Sequence, residues 1–456
     1  MAYFKRHIDD WLREWKESSG RKPLLIRGAR QVGKSTAVRE LGKSFRYFVE
    51  INLEKQPLIA RLFTEDIDVK KICEKLSGTL AIPIIPGETL LFLDEIQTSK
   101  EAIMSLRYFK EDYPELHIIA AGSLLEFTLE ELPSFAVGRI RSLYMYPFSF
   151  DEFLMAQGLD LTIDFKKKAN REDPLPKAAH KELIDQLRSF YLVGGMPAAV
   201  TRWVETRSYI EVAYEHRDII ETYQDDFSKY KKRVSPIVLR QVLRSVALQV
   251  GQKFVCSRAM PNTKSTVVKD ALHLLSLAGL AHPVVHTAAN GLPLGAEVND
   301  SYTKYLFFDL GVMQTMLDIP AADILTASEV DFVNKGGASE MFAGLEMIKY
   351  SDCFTKAESH YWQRPEKKSQ AEVDYICAHS GKVLPIEVKA STQGSMQSLW
   401  IFLREHKLHN AVRTSLENFG QLYYYDKEAD GEERHLEIIP LYALSNLQGV
   451  QFVKNA

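Results

Sequence analysis

Apolar residues recur at helical spacing in residues 3–18, where Phe4, Ile8, Trp11, Leu12 and Trp15 share one face. The pattern then changes to short, nearly continuous apolar runs. Residues 23–27 (PLLIR), 47–53 (YFVEINL), 89–97 (TLLFLDEIQ) and 116–121 (LHIIAA) read as buried strands. Residues 35–41 and 101–113 read as helices between them, so strand and helix alternate and a parallel α/β sheet is expected. Residues 138–146 add a strand, and 147–153 start a helix. Residues 160–180 are polar, lysine-rich and punctuated by Pro174 and Pro176, which predicts a loop. Helical periodicity runs from 181 to 230, broken at Gly194-Gly195-Met196-Pro197. Helices are then expected over 236–250 and 264–277, and a strand over 281–286. The last third reads as an aromatic strand (302–311), a helix (338–350) and strands at 361–364, 371–376 and 383–391, with a turn at Ser380-Gly381.

Two of the apolar runs end in chemistry. The first leads into Gly28-Ala29-Arg30-Gln31-Val32-Gly33-Lys34-Ser35, followed by Thr36, which fits G-x-x-x-x-G-K-[ST] between a strand and a helix. Glycines at both ends let successive N–H groups face phosphates, and the helix N-terminus favours their charge. Lys34 is expected to reach the β- and γ-phosphates of ATP and Ser35 to ligate Mg²⁺. The third run ends in Asp94 and Glu95, at the strand edge where ligands bind in open α/β sheets. Asp94 is expected to hold Mg²⁺ through water, and Glu95 to polarise the attacking water. Ser123, at the tip of the next strand, fits a polar sensor of bound nucleotide as well as a turn or capping serine. Arg139 can approach a γ-phosphate in its own subunit or in a neighbour's, or form a surface ion pair.

Composition narrows the setting without naming a partner. The chain has 456 residues, net charge −3, 46% hydrophobic and 26% charged residues, which fits a soluble protein of several domains. Cys73, Cys256, Cys353 and Cys377 lack metal-ligand spacing and read as reduced thiols of a cytoplasmic protein. No apolar run approaches a membrane span, and the N-terminus lacks a signal-peptide core.

Charge is uneven locally. Residues 229–270 hold ten Lys/Arg against one acid, Asp270. On the two helices and following strand, this reads as a winged helix-turn-helix, either a DNA-binding module or a protein-interaction module. Further on, Glu387 and Lys389 are two apart on a strand and share a face, with Asp374 on the paired strand. Asp-x₁₂-Glu-x-Lys on a hairpin is the spacing of PD-(D/E)XK nucleases, and Glu340 on the preceding helix fills the usual fourth position. Two close carboxylates need a divalent cation or Lys389 between them, which makes the four a candidate Mg²⁺ site.

Taken together, the segments GARQVGKST, LLFLDEIQ, AAGSLLEF, AVGRIRSLYMYPFSFDEF, YLVGGMPAAV, YLFFDLG and AEVDYICAHSGKVLPIEVKAS resemble the prokaryotic AAA-like ATPases that carry a C-terminal domain of unknown function. Gln31 stands where many members have Arg. The resemblance implies an α/β chain: an AAA-like P-loop domain over 1–155, a helical lid over 156–228, a winged helix over 229–297 and a nuclease-like domain over 298–456. It carries Lys34, Ser35, Asp94 and Glu95 into ATPase roles and Glu340, Asp374, Glu387 and Lys389 into nuclease-like ones. It leaves three functions open: an ATPase coupling nucleotide state to DNA binding or processing, a nucleotide-regulated interaction switch with inert accessory domains, and an ATP-licensed nuclease. A homo-oligomer is compatible with all three, since a neighbour can supply an arginine.

Overall fold

The computed structural model describes residues 3–123, 125–131, 138–230, 233–321, 336–364, 371–389, 396–425 and 431–452. They form two compact units: residues 1–148 with the short segments 277–279 and 352–356, and the remainder.

In the first unit, helix α1 (His7–Glu17) precedes β1 (Leu24–Arg27), α2 (Lys34–Gly42), β2 (Tyr47–Asn52), α3 (Val69–Leu80), β3 (Thr89–Asp94), α4 (Lys100–Asp112), β4 (His117–Ala121), α5 (Leu125–Glu131) and β5 (Arg141–Tyr144). The five strands lie in the order β2-β3-β4-β1-β5, and every pair is parallel. That explains the apolar runs. Strands covered on both faces cannot alternate, and every residue of β3 and β4 is buried. Leu91, Leu93, Ile118 and Ala120 join Val49, Ile51, Ile72, Leu76, Ile103 and Leu106 in one core. Each buried Leu, Ile or Phe contributes roughly 1.5–3 kcal/mol. Because all strands run the same way, the residues that follow β1, β3 and β4 emerge at one edge of the sheet.

The second unit begins with α6 (Phe150–Ala156), α7 (Asp160–Lys168), α8 (Lys177–Val193), α9 (Pro197–Thr206) and α10 (Tyr209–Asp226). Helix α7 occupies part of the stretch expected to be a loop. Its Lys166 is fully buried, paired with Asp151 of α6 and donating to the Tyr442 carbonyl at 3.1 Å and the Ser445 hydroxyl at 3.0 Å. A lysine with a buried partner counts as core, and composition alone cannot reveal that partner.

After α11 (Pro236–Leu248) and α12 (Ser265–Leu277) come β6 (Ala281–Thr287), β7 (Val298–Phe307), α13 (Leu310–Met316), α14 (Gly336–Lys349), β8 (Ser359–Gln363), β9 (Glu372–His379), β10 (Lys382–Val388), α15 (Gln397–Glu405), β11 (Asn410–Ser415), β12 (Gly420–Tyr425) and β13 (Glu433–Pro440). All eight strands form one mixed sheet in the order β12-β13-β11-β10-β9-β8-β6-β7. The expected boundary at 297 therefore falls inside the antiparallel hairpin β6–β7, and β6 also pairs in parallel with β8. The strands β6 and β7 and the C-terminal strands belong to one sheet, because the free edge of β6 is used for pairing with β8. The compact units part at Phe148.

Two of the motif segments meet within this unit. Asp309 caps α13, accepting from the Val312 N–H at 3.0 Å. Its other oxygen accepts from the Gly195 N–H at 2.7 Å, in the break between α8 and α9.

Candidate functional site

Strand polarity gathers the first cluster. The loop after β1 curls through positive φ at Gly28 (139°), Gln31 (63°) and Gly33 (97°). At Gly28 a Cβ would run into the Met145 carbonyl, so glycine is required there by contact as well as by conformation. Gly33 caps α2 in the left-handed region, and its carbonyl accepts from the Ala37 N–H at 3.0 Å. Lys34 is buried beneath the loop, with its ammonium donating to the carbonyls of Gly28 (2.9 Å) and Ala29 (2.7 Å). Burial lowers its pKa to about 8, against the pull of Glu95 and Asp94. The Ser35 hydroxyl lies 3.1 Å from both carboxylate oxygens of Asp94. Asp94 is itself buried, which raises its pKa together with the neighbouring charge of Glu95. Thr36 is exposed on the first turn of α2.

Glu95 leaves β3 in a left-handed conformation (φ 50°). Its Oε2 accepts from Gln97 Nε2 at 2.6 Å and from the Ser123 hydroxyl at 3.2 Å. Ser123 thus faces Glu95 across the strand tips. Gln97, missed in the sequence reading, orients the same carboxylate; its place two residues beyond Glu95 was the available signal. Arg6 was missed as well. It lies before β1, in a charged stretch with no motif, yet it donates to the Val32 carbonyl inside the loop at 3.0 Å.

Arg139 stands elsewhere. It precedes β5, whose Arg141 pairs with Leu24 at the start of β1, so it lies at the edge opposite the loop. There it forms an ion pair with Glu111 of α4. A four-residue strand spans roughly 13 Å. Strand polarity therefore separates Arg139 from the loop of its own chain.

The second cluster lies on the eight-stranded sheet. The register Tyr375↔Ile386 places Asp374 opposite Glu387 on one face. An Asp374 oxygen accepts from the Val388 N–H at 2.8 Å, and Lys389 pairs with Glu387 at 2.6 Å. Glu340 reaches the same face from α14. The group is larger than the motif. Glu372, two residues before Asp374 and so on its face, brings a carboxylate oxygen within 4.8 Å of ligand atoms of Glu340 and Asp374. Lys304 of β7 is buried against these acids, donating to Glu340 at 2.7 Å and pairing with Glu372. Its alternation with Thr303 and Tyr305, in step with buried Leu306, was the sequence signal that it points inward. Burial raises Glu340 to about 7 despite Lys304, and raises Glu387 to about 8, with Asp374 adding to the shift.

The basic stretch is partly engaged internally. Lys229 pairs with Asp226 at 3.0 Å, Arg244 donates to the Met316 carbonyl, Arg258 donates to Gln252, and Lys253 sits 3.4 Å from the Tyr302 ring centroid. Lys231 and Lys232 lie outside the described residues. Arg240 on α11, Lys264 and Lys269 are exposed.

With this geometry in hand, the comparisons divide the chain in three. Residues 20–154 match the family model of an AAA domain. This part of the chain is similar to AAA-type P-loop domains. Residues 184–323 and 335–443 match two domains of unknown function, DUF8612 and DUF4143. The first of these runs through both expected boundaries, at 229 and at 297. No curated protein matches the chain. Among solved structures, Aeropyrum pernix ORC1 in complex with DNA matches at 14% identity and TM-score 0.30, covering 70% of this chain and 94% of that one. A point variant of Thermotoga maritima RuvB matches at 15% identity and TM-score 0.28, covering 61% and 89%. Both scores are too low to carry residue roles across. Among the described residues, no helix is long and apolar enough to cross a membrane.

The first cluster fits a nucleotide with Mg²⁺: a glycine-bounded loop, a buried lysine beneath it, and a hydroxyl and carboxylate in contact.

Proposed function

We propose that the protein binds and hydrolyses Mg²⁺-ATP and couples nucleotide state to DNA binding or processing. The observation that carries the first part is the contact at 3.1 Å between the Ser35 hydroxyl and Asp94, which lie 59 residues apart in sequence. Lys34 binds the β- and γ-phosphates, leaving the loop carbonyls it now contacts. Ser35 and Asp94 hold Mg²⁺, which offsets phosphate charge when bound. Glu95 polarises the attacking water, and Gln97 and Ser123 hold its carboxylate in place. Arg139, at the far edge of the sheet, is suited to a neighbouring subunit's nucleotide in a homo-oligomer. Titration with a fluorescent ATP analogue tests this reading: tight Mg²⁺-dependent binding, lost in Lys34→Ala, is expected, and equal binding by both proteins would refute it.

The DNA part is supported by the exposed Lys269 on α12 and the exposed Lys264 just before it, with Arg240 nearby in sequence on α11. This arrangement fits a winged helix placing its second helix against phosphates. Glu340, Asp374, Glu387 and Lys389 fit a nuclease-like Mg²⁺ site. One specific observation favours the second reading, a nucleotide-regulated interaction switch with inert accessory domains. Lys304 already supplies a positive charge among Glu340, Glu372 and Asp374. One ammonium offsets part of this acidic charge from within, so burial of the group depends less on a divalent ion.

A further inference from the structure

The phosphate loop is held from behind by a residue outside the matched AAA stretch. Arg6 immediately precedes α1 and is only 4% exposed. Its Nη1 donates to the Val32 carbonyl at 3.0 Å and its Nη2 to the Tyr146 carbonyl at 2.8 Å, and its guanidinium lies 4.0 Å from the Phe148 ring centroid. The backbone that carries it is fixed in turn. The Arg6 N–H donates to Asp9 Oδ2 at 2.8 Å, and the Tyr3 hydroxyl donates to Asp9 Oδ1 at 2.6 Å. A planar fork aimed at two carbonyls from different segments orients both at once.

Val32 lies in the middle of the glycine-bounded loop, and its carbonyl belongs to the same peptide group as the Gly33 N–H. That group is planar and trans, so carbonyl and N–H point in opposite directions. Fixing the oxygen on Arg6 therefore fixes the Gly33 N–H on the side facing away from Arg6. The charge at the oxygen end also polarises the peptide in the sense that favours an anion at the N–H end. Gly33 is the residue least able to hold this orientation unaided, because it has no Cβ and sits at φ 97°.

We infer that Arg6 is a positioning residue for nucleotide phosphate, clamping the Val32–Gly33 peptide so that the Gly33 N–H is presented to the polyphosphate. The inference rests on the ATP reading above. Arg6 itself touches no substrate. The clamp acts alike on ground-state and transition-state phosphates, so its loss raises KM and leaves kcat nearly unchanged. A residue that merely supported folding would lower the active fraction, reducing apparent kcat with KM unaltered.

The test is steady-state Mg²⁺-ATP hydrolysis and binding of a fluorescent ADP analogue for the full chain, Arg6→Ala, Arg6→Lys and Lys34→Ala. Arg6→Ala is expected to raise KM and the ADP-analogue Kd about tenfold, about 1.4 kcal/mol, with kcat within about twofold. Arg6→Lys keeps the charge but loses the fork, and should fall between Arg6→Ala and the unaltered chain. If Arg6→Ala fails to fold, Arg6→Lys decides, since an unchanged KM and Kd in that variant would overturn the inference. So would a fall in kcat at constant KM in either variant. Failure of the unaltered chain to bind nucleotide would refute the ATP reading and the clamp with it, whereas normal binding by both Arg6 variants would refute the clamp alone.

Discussion

The Ser35 hydroxyl lies 3.1 Å from both carboxylate oxygens of Asp94, although β4 separates their strands in the sheet. Only the shared direction of β1 and β3 brings a loop after one strand to the last residue of the other. Two oxygen ligands placed this way serve a hard cation. Ser35→Ala should weaken ATP binding about tenfold in Mg²⁺ and leave it unchanged in EDTA. An equal loss under both conditions, read by titration of a fluorescent analogue, would show that the hydroxyl supports the loop rather than the ion.

Lys304 has two acidic partners and almost no solvent. Removing one member of such a group leaves uncompensated buried charge, at about 3–5 kcal/mol. Lys304→Met should therefore destabilise the second unit by that amount in urea unfolding, and added Mn²⁺ should restore part of the loss by replacing the missing positive charge. A variant as stable as the parent would mean that these acids need no counter-ion.

The same acids set a pH dependence. Burial raises Glu387 to about 8 and Glu340 to about 7 in the folded chain, above the ordinary carboxyl value near 4.5. The folded state then binds more protons than the unfolded one between these limits, so stability falls as pH rises. Their contribution is fully present below about pH 4.5 and lost as pH climbs through 7 to 8. Each carboxyl can add a slope of at most about 1.4 kcal/mol per pH unit. Glu387→Gln should flatten the curve and exceed the parent's stability at pH 8. Denaturant midpoints from pH 5 to 9 measure this, and a parent slope identical to that of the variant would contradict it.

If α12 contacts DNA through phosphates, affinity should fall steeply with salt, with a log–log slope near ~0.9 per phosphate neutralised. Replacing Lys264 and Lys269 with Ala should reduce the slope by about 1–2 and weaken different duplexes alike. Fluorescence anisotropy with labelled duplex, in the presence of ATP, provides the readout. No binding at low salt would favour the interaction-switch reading.

Much of the first unit was legible in the sequence because parallel strands buried on both faces leave unmistakable runs, and because the loop motif has fixed spacing. The second unit was less so. Its sheet joins β6, β7 and β8 across intervening helices, and pairing between distant strands leaves no local trace. The buried ion pairs of Lys166 and Lys304 are not legible in the sequence, since they depend on partners such as Asp151 and Glu340 that only the fold supplies. Glu372 was within reach, because the two-residue period that joined Glu387 to Lys389 also joins it to Asp374. Arg139 looked within reach of its own chain's phosphate loop until the register of β5 on β1 set it at the opposite edge.

The central claim is that Glu95, held by Gln97 and Ser123 beside a phosphate loop, activates water for ATP hydrolysis. Glu95→Gln preserves the shape and removes the polarising charge. Phosphate release measured under saturating Mg²⁺-ATP tests it most directly, alongside nucleotide affinity in the same samples. The expected result is turnover reduced at least about 100-fold with affinity within a few-fold of the parent. Hydrolysis by Glu95→Gln at the parent rate would contradict the assignment.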